Sequence, residues 1–84
     1  MKTLQLYYFA SVREALGCQA ETWHSEAGSV AELRQELALR STAYADTLSP
    51  QRRVCVALNQ CLVKEDVLLQ SGDEVAFFPP VTGG

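Results

Sequence analysis

The chain has 84 residues, 48% of them hydrophobic and 20% charged, which suits one globular domain and excludes a second core. A domain of this size buries only roughly 60–65% of its unfolded surface, so modest stability is expected. Ten acidic residues against seven basic ones give a net charge of −3, which argues against the basic, phosphate-tracking surface of a nucleic-acid binder.

Leu4, Leu6 and Tyr8 alternate with Thr3, Gln5, Tyr7 and Phe9, the period-two pattern of a strand over residues 3–9. Lys2 ahead of an apolar run has the outward form of a signal peptide, but Gln5 interrupts the run and Arg13-Glu14 follow it. A strand in a cytoplasmic protein is the better reading, and no apolar run approaches the roughly 20 residues that span a bilayer. Ser11-Val12-Arg13-Glu14 has the S-x-x-E form of a capping box, and Gly17 stands where a short helix needs a left-handed residue to stop. Ala20 to Ser25, with Thr22 and Trp23 between two glycines, reads as a second strand.

Ser29-Val30-Ala31-Glu32 is a second capping box, and Val30, Leu33 and Leu37 follow at helical spacing, which predicts the main helix over 30–40. Ser41 to Pro50 has turn formers and no sustained period, and an irregular connection is expected there. Arg53–Leu58 and Cys61–Lys64 flank Asn59-Gln60, a two-residue hairpin turn with asparagine where positive φ is needed. That register sets Leu58 opposite Cys61, Ala57 opposite Leu62, and Val56 opposite Val63. Cys55 then faces Lys64, so Cys55 and Cys61 are poorly placed to bond. Ser71-Gly72-Asp73 makes the next turn, and Glu74–Phe78 is the final strand before Pro79-Pro80 stop the ladder.

The order β, β, α, β, β, β does not suit a doubly wound sheet, which alternates strand and helix throughout. It suits an α+β fold of β-grasp type, shared with ubiquitin: a mixed sheet packed on one main helix, with an extended C-terminal tail. The division expected is a domain over 1–80 and a flexible tail over 81–84. By strand parity Val54, Val56, Leu58, Cys61, Val63, Val75 and Phe77 face the core, which leaves Leu62 and Phe78 outward. The alternative for these two is packing beneath the 41–50 segment.

No catalytic constellation of the usual kind is visible. His24 lies in a strand with no nucleophile beside it in sequence, and Asp73-Glu74 and Glu65-Asp66 are the acidic residues turns commonly carry. Cys18, Cys55 and Cys61 form an odd set without CxxC spacing, which predicts neither a disulfide framework nor a metal site. The tail VTGG stands out instead. After two prolines it would leave the sheet and project by about 13 Å. Glycines at its end remove every Cβ, so a terminal carboxylate could pass a narrow channel and approach a nucleotide closely.

GDEVAFFPPVTGG (72–84) closely resembles the C-terminus of the molybdopterin synthase small-subunit family. Phe9-Ala10 with Arg13-Glu14 and Gly17, and the hairpin VALNQCLV (56–63), resemble that family's other motifs, while 18–50 match in layout more than in letters. The resemblance implies a β-grasp sulfur carrier whose terminal glycine, Gly84 here, is adenylated by a ubiquitin-activating-like adenylyltransferase and then converted to a thiocarboxylate. Val81, Thr82 and Gly83 would insert with it into a large catalytic subunit, where the sulfur is transferred to cyclic pyranopterin monophosphate. It implies no cofactor held by this chain, ATP used by the activating enzyme, a sulfur-donor protein, and a heterotetramer of two small and two large subunits. Arg13, Leu62 and Phe78 fall on positions that contact partners in the family. Such a chain is the sulfur-donating part of an enzyme and is not expected to be catalytic alone. Alternatives are a thiamine-pathway sulfur carrier, a ubiquitin-like modifier joined to lysines, and an interaction module with an idle tail.

Overall fold

The alternation of the first segment becomes β1 (Lys2–Tyr8), with Leu4, Leu6 and Tyr8 fully buried on one face and Thr3, Gln5 and Tyr7 on the other. The computed structural model describes residues 1–80; the expected tail, Val81, Thr82, Gly83 and Gly84, lies outside the described residues. After β1 come α1 (Ala10–Leu16), β2 (Ala20–Ser25), α2 (Val30–Ala38), α3 (Thr42–Leu48), β3 (Cys55–Leu58), β4 (Cys61–Val63) and β5 (Glu74–Phe78). The strands form one mixed sheet in the order β2-β1-β5-β3-β4. β1 runs antiparallel to β2 and parallel to β5, and β3 is antiparallel to both β5 and β4. This is the ubiquitin-like β-grasp arrangement.

α2 lies on the core face because Val30, Leu33 and Leu37 return every third or fourth residue, and all three are fully buried. Its N-terminus is capped as the sequence predicts, Ser29 Oγ accepting from the Glu32 N–H. The reciprocal bond of the box is displaced by one residue, for Glu32 Oε1 accepts from Gly28 N–H at 2.7 Å. The helix ends at Ala38, two residues short of the expected boundary.

Two expectations are corrected. The 41–50 segment is not irregular: α3 fills most of it, with Ser41 Oγ accepting from Tyr44 N–H at its start. Only Leu48 of this helix is buried, so it leaves no repeating apolar stripe in the sequence. The Ser11 capping box is also not used. α1 begins two residues earlier, with Phe9 in the capping position and no side-chain cap, so Ser11 and Glu14 lie within the helix. Its end is as predicted, Gly17 adopting φ +66° and donating to the Arg13 carbonyl.

Two polar clusters fasten the helical layer. Arg34, only 3% exposed, donates to the carbonyls of Leu48, Ser49 and Arg52 and to Glu65 Oε1, which fixes the chain after α3. On β2, Glu21 and Trp23 sit opposite Leu6 and Leu4 and share their core-side orientation. Glu21 Oε2 accepts from Tyr8 Oη at 2.6 Å, Arg40 Nη1 at 2.7 Å and Tyr44 Oη at 2.9 Å. The Arg40 guanidinium lies 4.1 Å from the centre of the Tyr44 ring and 4.4 Å from that of Trp23, while Trp23 Nε1–H donates to Glu36. Partial burial pushes the Glu21 carboxyl upward, but the bonds from Arg40, Tyr8 and Tyr44 outweigh it and hold the group below the ordinary carboxylate range. Burial, and next the bond to Glu21, push the Tyr8 phenol far up.

Glu21→Ala strips a buried phenol of its acceptor and is expected to cost about 1–3 kcal/mol at neutral pH. Folded Glu21 binds protons less readily than the unfolded side chain, so its contribution is present above the unfolded pKa and is lost as pH falls from about 4.5 through the folded value. Chemical denaturation along that pH range should show a shallower acid loss in the variant than in the parent.

Candidate functional site

The face of the sheet turned away from the helices carries a graded row of side chains. Register places Tyr7 of β1 beside Ala76 of β5, Ala76 beside Ala57 of β3, and Ala57 beside Leu62 of β4. Two small residues between two large ones make a trough. Phe78, one pleat along β5, and Phe9 add aromatic walls, while Gln60 and Glu74 border the same groove, whose volume is about 380 Å³. Glu74 is its one acidic lining residue.

Leu62 is 74% exposed and Phe9 48% exposed, large values for apolar side chains. Phe78 is half-buried. Packing of Leu62 and Phe78 beneath the 41–50 segment is excluded, because α3 lies on the opposite face, where Tyr44 meets the buried Tyr8 ring edge-on at 6.3 Å. The outward parity of Leu62 and Phe78 and the inward parity of Val56, Val75 and Phe77 hold. Val54, Leu58 and Val63 pack against the core half-buried, but Cys61 does not join it and is exposed. It opens a three-residue edge strand with a neighbour on one side only. Arg13 is exposed on α1 and does not line the groove.

Where the chain leaves the sheet is equally defined. β5 pairs with β1 through Phe77 and with β3 through Phe78, and the ladder stops there, ahead of Pro79. Pro79 borders a smaller hollow of about 290 Å³ formed with Ser11, Val12 and Ala15 of α1 and with Arg52 and Arg53. Gly84 and the tail residues proposed to insert with it lie beyond the described residues. His24 accepts or donates one bond, to Thr3 Oγ1 at 3.2 Å, on the polar half of the outer face. Among the described residues no cluster of His, Cys, Asp or Glu is placed to hold a metal, and all three cysteines are free. No helix among them is long and apolar enough to cross a membrane.

Strand parity turned Leu62 and Phe78 outward but gave no sign of the trough's floor. Alanines on central strands carry no signal of their own; only the pairing of β5 with both β1 and β3 brings Ala57 and Ala76 together. Backbone strain marks the rim. Ala10, next to Phe9, adopts φ +53°, and Asn59 and Gln60 adopt +50° and +72°; these are the non-glycine residues in the left-handed region among the described residues.

The described residues thus form a small β-grasp domain with an apolar trough beside its last strand. Residues 6–84 match the ThiS family, and the chain belongs to it. It is 43% identical over 81 residues to the molybdopterin synthase sulfur carrier subunit of Escherichia coli (strain K12), an alignment covering 96% of this chain and 99% of that one. Among solved structures, the Haloferax volcanii HVO 2177 protein superposes with a TM-score of 0.80 at 28% identity, covering 99% of this chain and 87% of that one. A chain of the complex between subunits 1 and 2 of the molybdopterin-converting factor of Helicobacter pylori 26695 has the same fold, with a TM-score of 0.67 at 23% identity over 98% of this chain and 99% of that one.

Relief of the strain at Ala10 is measurable. Ala10→Gly should leave the unfolding free energy unchanged or raise it by up to about 1 kcal/mol, whereas Ala10→Val, β-branched at positive φ, should lower it by about 1–2 kcal/mol in urea denaturation.

Proposed function

We propose that this chain is the sulfur carrier subunit of a molybdopterin synthase, and the observation that carries the reading is the 43% identity to such a subunit over nearly the whole of both chains. The apolar trough adds physical support, since it adjoins the strand from which the tail departs. In this reading the Gly84 carboxylate attacks the α-phosphorus of ATP on an activating adenylyltransferase, releasing pyrophosphate and forming an acyl-adenylate. The terminal sulfur of a donor protein's persulfide then displaces AMP to give an acyl disulfide, and a thiol cleaves its S–S bond, leaving the thiocarboxylate on Gly84 and a disulfide between that thiol and the donor.

A thiocarboxylate is a far better nucleophile than a carboxylate, and a folded carrier replaces free sulfide with a positioned donor. Val81, Thr82 and Gly83 bring it into the large catalytic subunit, where its sulfur attacks cyclic pyranopterin monophosphate and the carrier returns to the carboxylate after hydrolysis. Two such transfers complete the dithiolene. The acid and base groups belong to the large subunit, ATP to the activating enzyme, and the working assembly is a cytoplasmic heterotetramer.

Docking follows from the same surface. The large subunit covers the trough between Tyr7 and Leu62 with Phe78 as an anchor, and Arg13 contributes from the flank. The complex of subunits 1 and 2 known for the Helicobacter pylori protein supports a partner of this kind.

Two measurements test the reading. Incubation with an activating enzyme, ATP, a persulfide donor and a thiol reductant should raise the intact mass by one exchange of oxygen for sulfur, located at Gly84; lysine-linked conjugates without that exchange would point to a modifier instead. In calorimetric titration against the large subunit, Phe78→Ala should weaken binding by about 1–3 kcal/mol, as the loss of an interface anchor does. Unchanged affinity would remove Phe78 from the interface.

A further inference from the structure

The turn between β3 and β4 is bound to the start of β5 by more than strand pairing. Asn59 N–H donates to the Glu74 carbonyl at 2.8 Å, and Glu74 N–H donates to Asn59 Oδ1 at 3.0 Å. The other end of the same amide, Nδ2, donates to Asp73 Oδ1 at 3.0 Å. Asp73 is itself fixed: its Oδ2 accepts from Gln70 N–H at 2.8 Å and its carbonyl from Gln5 N–H at 3.0 Å. One exposed asparagine side chain thus links the hairpin tip, through the 70–73 turn, to β1.

These bonds lie at the surface and none closes the core, so their contribution to stability is small. What they hold is the end of the trough. Gln60 follows Asn59 in the turn, and Leu62 extends the Tyr7-Ala76-Ala57 row on the short edge strand that leaves the turn. The turn type favours glycine at its second position, yet Gln60 occupies it at φ +72° and its side chain lines the trough. Strain kept at a position that faces a binding surface marks that position as functional.

We propose that Asn59 is a positioning residue for partner docking, holding Gln60 in the lining of the trough and Leu62 at the end of the Tyr7-Ala76-Ala57 row by tying the hairpin turn to the start of β5. The inference rests on the docking reading above. A three-residue edge strand has too few ladder bonds to fix its own tilt, so the tie at the turn sets where Leu62 stands.

Asn59→Gly tests it, because glycine accepts the left-handed turn and removes only the side-chain ties. Against the large subunit, at a temperature where the melting curve shows the variant folded, binding should weaken about tenfold. Leu62→Ala should then weaken binding markedly in the parent and little in the Asn59→Gly background, a coupling that a purely structural role would not produce. Asp73→Ala, which removes the Nδ2 bond but leaves the bond from Glu74 N–H to Asn59 Oδ1, should give a smaller loss in the same direction. Binding of Asn59→Gly within about twofold of the parent while Phe78→Ala still weakens it overturns the clamp and leaves docking intact. So do independent, multiplying effects of Asn59→Gly and Leu62→Ala, or failure of both clamp variants to fold. Unchanged binding in Phe78→Ala and Leu62→Ala removes the docking reading, and this inference with it.

Discussion

The last strand is held from both sides, and the rest of the molecule is arranged around that. β5 lies between β1, to which it runs parallel, and β3, to which it runs antiparallel. A strand with two neighbours cannot slip by one residue without moving its buried set to the other face, so pairing locks Val75 and Phe77 inward and Glu74, Ala76 and Phe78 outward. The buried pair meets Leu6 and Tyr8 of β1, with the Phe77 and Tyr8 rings stacked 5.9 Å apart. The outward set forms the trough. Core and surface are therefore two readings of one register.

The two faces of the sheet are stabilised differently. On the helical side, apolar packing is supplemented by charged residues with several partners each: Arg34 gathers three carbonyls and a carboxylate, and Glu21 gathers two phenols and a guanidinium. Buried polar groups satisfied in this way fix geometry more than they add net stability. Among the described residues the outer side has no covering layer, and its polar half, with Thr22 bonded to Gln5 and Thr3 to His24, grades into the apolar half across the sheet. That gradient confines the sticky surface to the strands nearest the chain's exit.

Much of this was legible in the sequence where local chemistry decides. Asn59-Gln60 gave the hairpin and its register to the residue, and strand alternation separated Phe77 from Phe78. What stayed hidden depends on residues distant in sequence. Helix α3 has a single buried side chain, so no period announces it, and the Ser11 box was a true pattern overridden by the turn at Phe9-Ala10. Cys61 has the parity of a core residue but sits on an edge strand, and parity alone cannot distinguish an edge from a centre. The role of Arg34 depends on the carbonyls at and after the end of α3, 14–18 residues further along the chain. The trough itself needs four strands to meet before its alanine floor exists.

The double pairing of β5 also has a mechanical side. A partner that draws on the chain beyond Pro79 pulls along the strand axis, so the load falls on the hydrogen bonds to β1 and β3 together, in shear, and not on one bond at a time as in peeling an edge strand. Resistance of that kind is a property of connectivity, independent of any single side chain. The domain is thus built to withstand traction applied beyond its last strand.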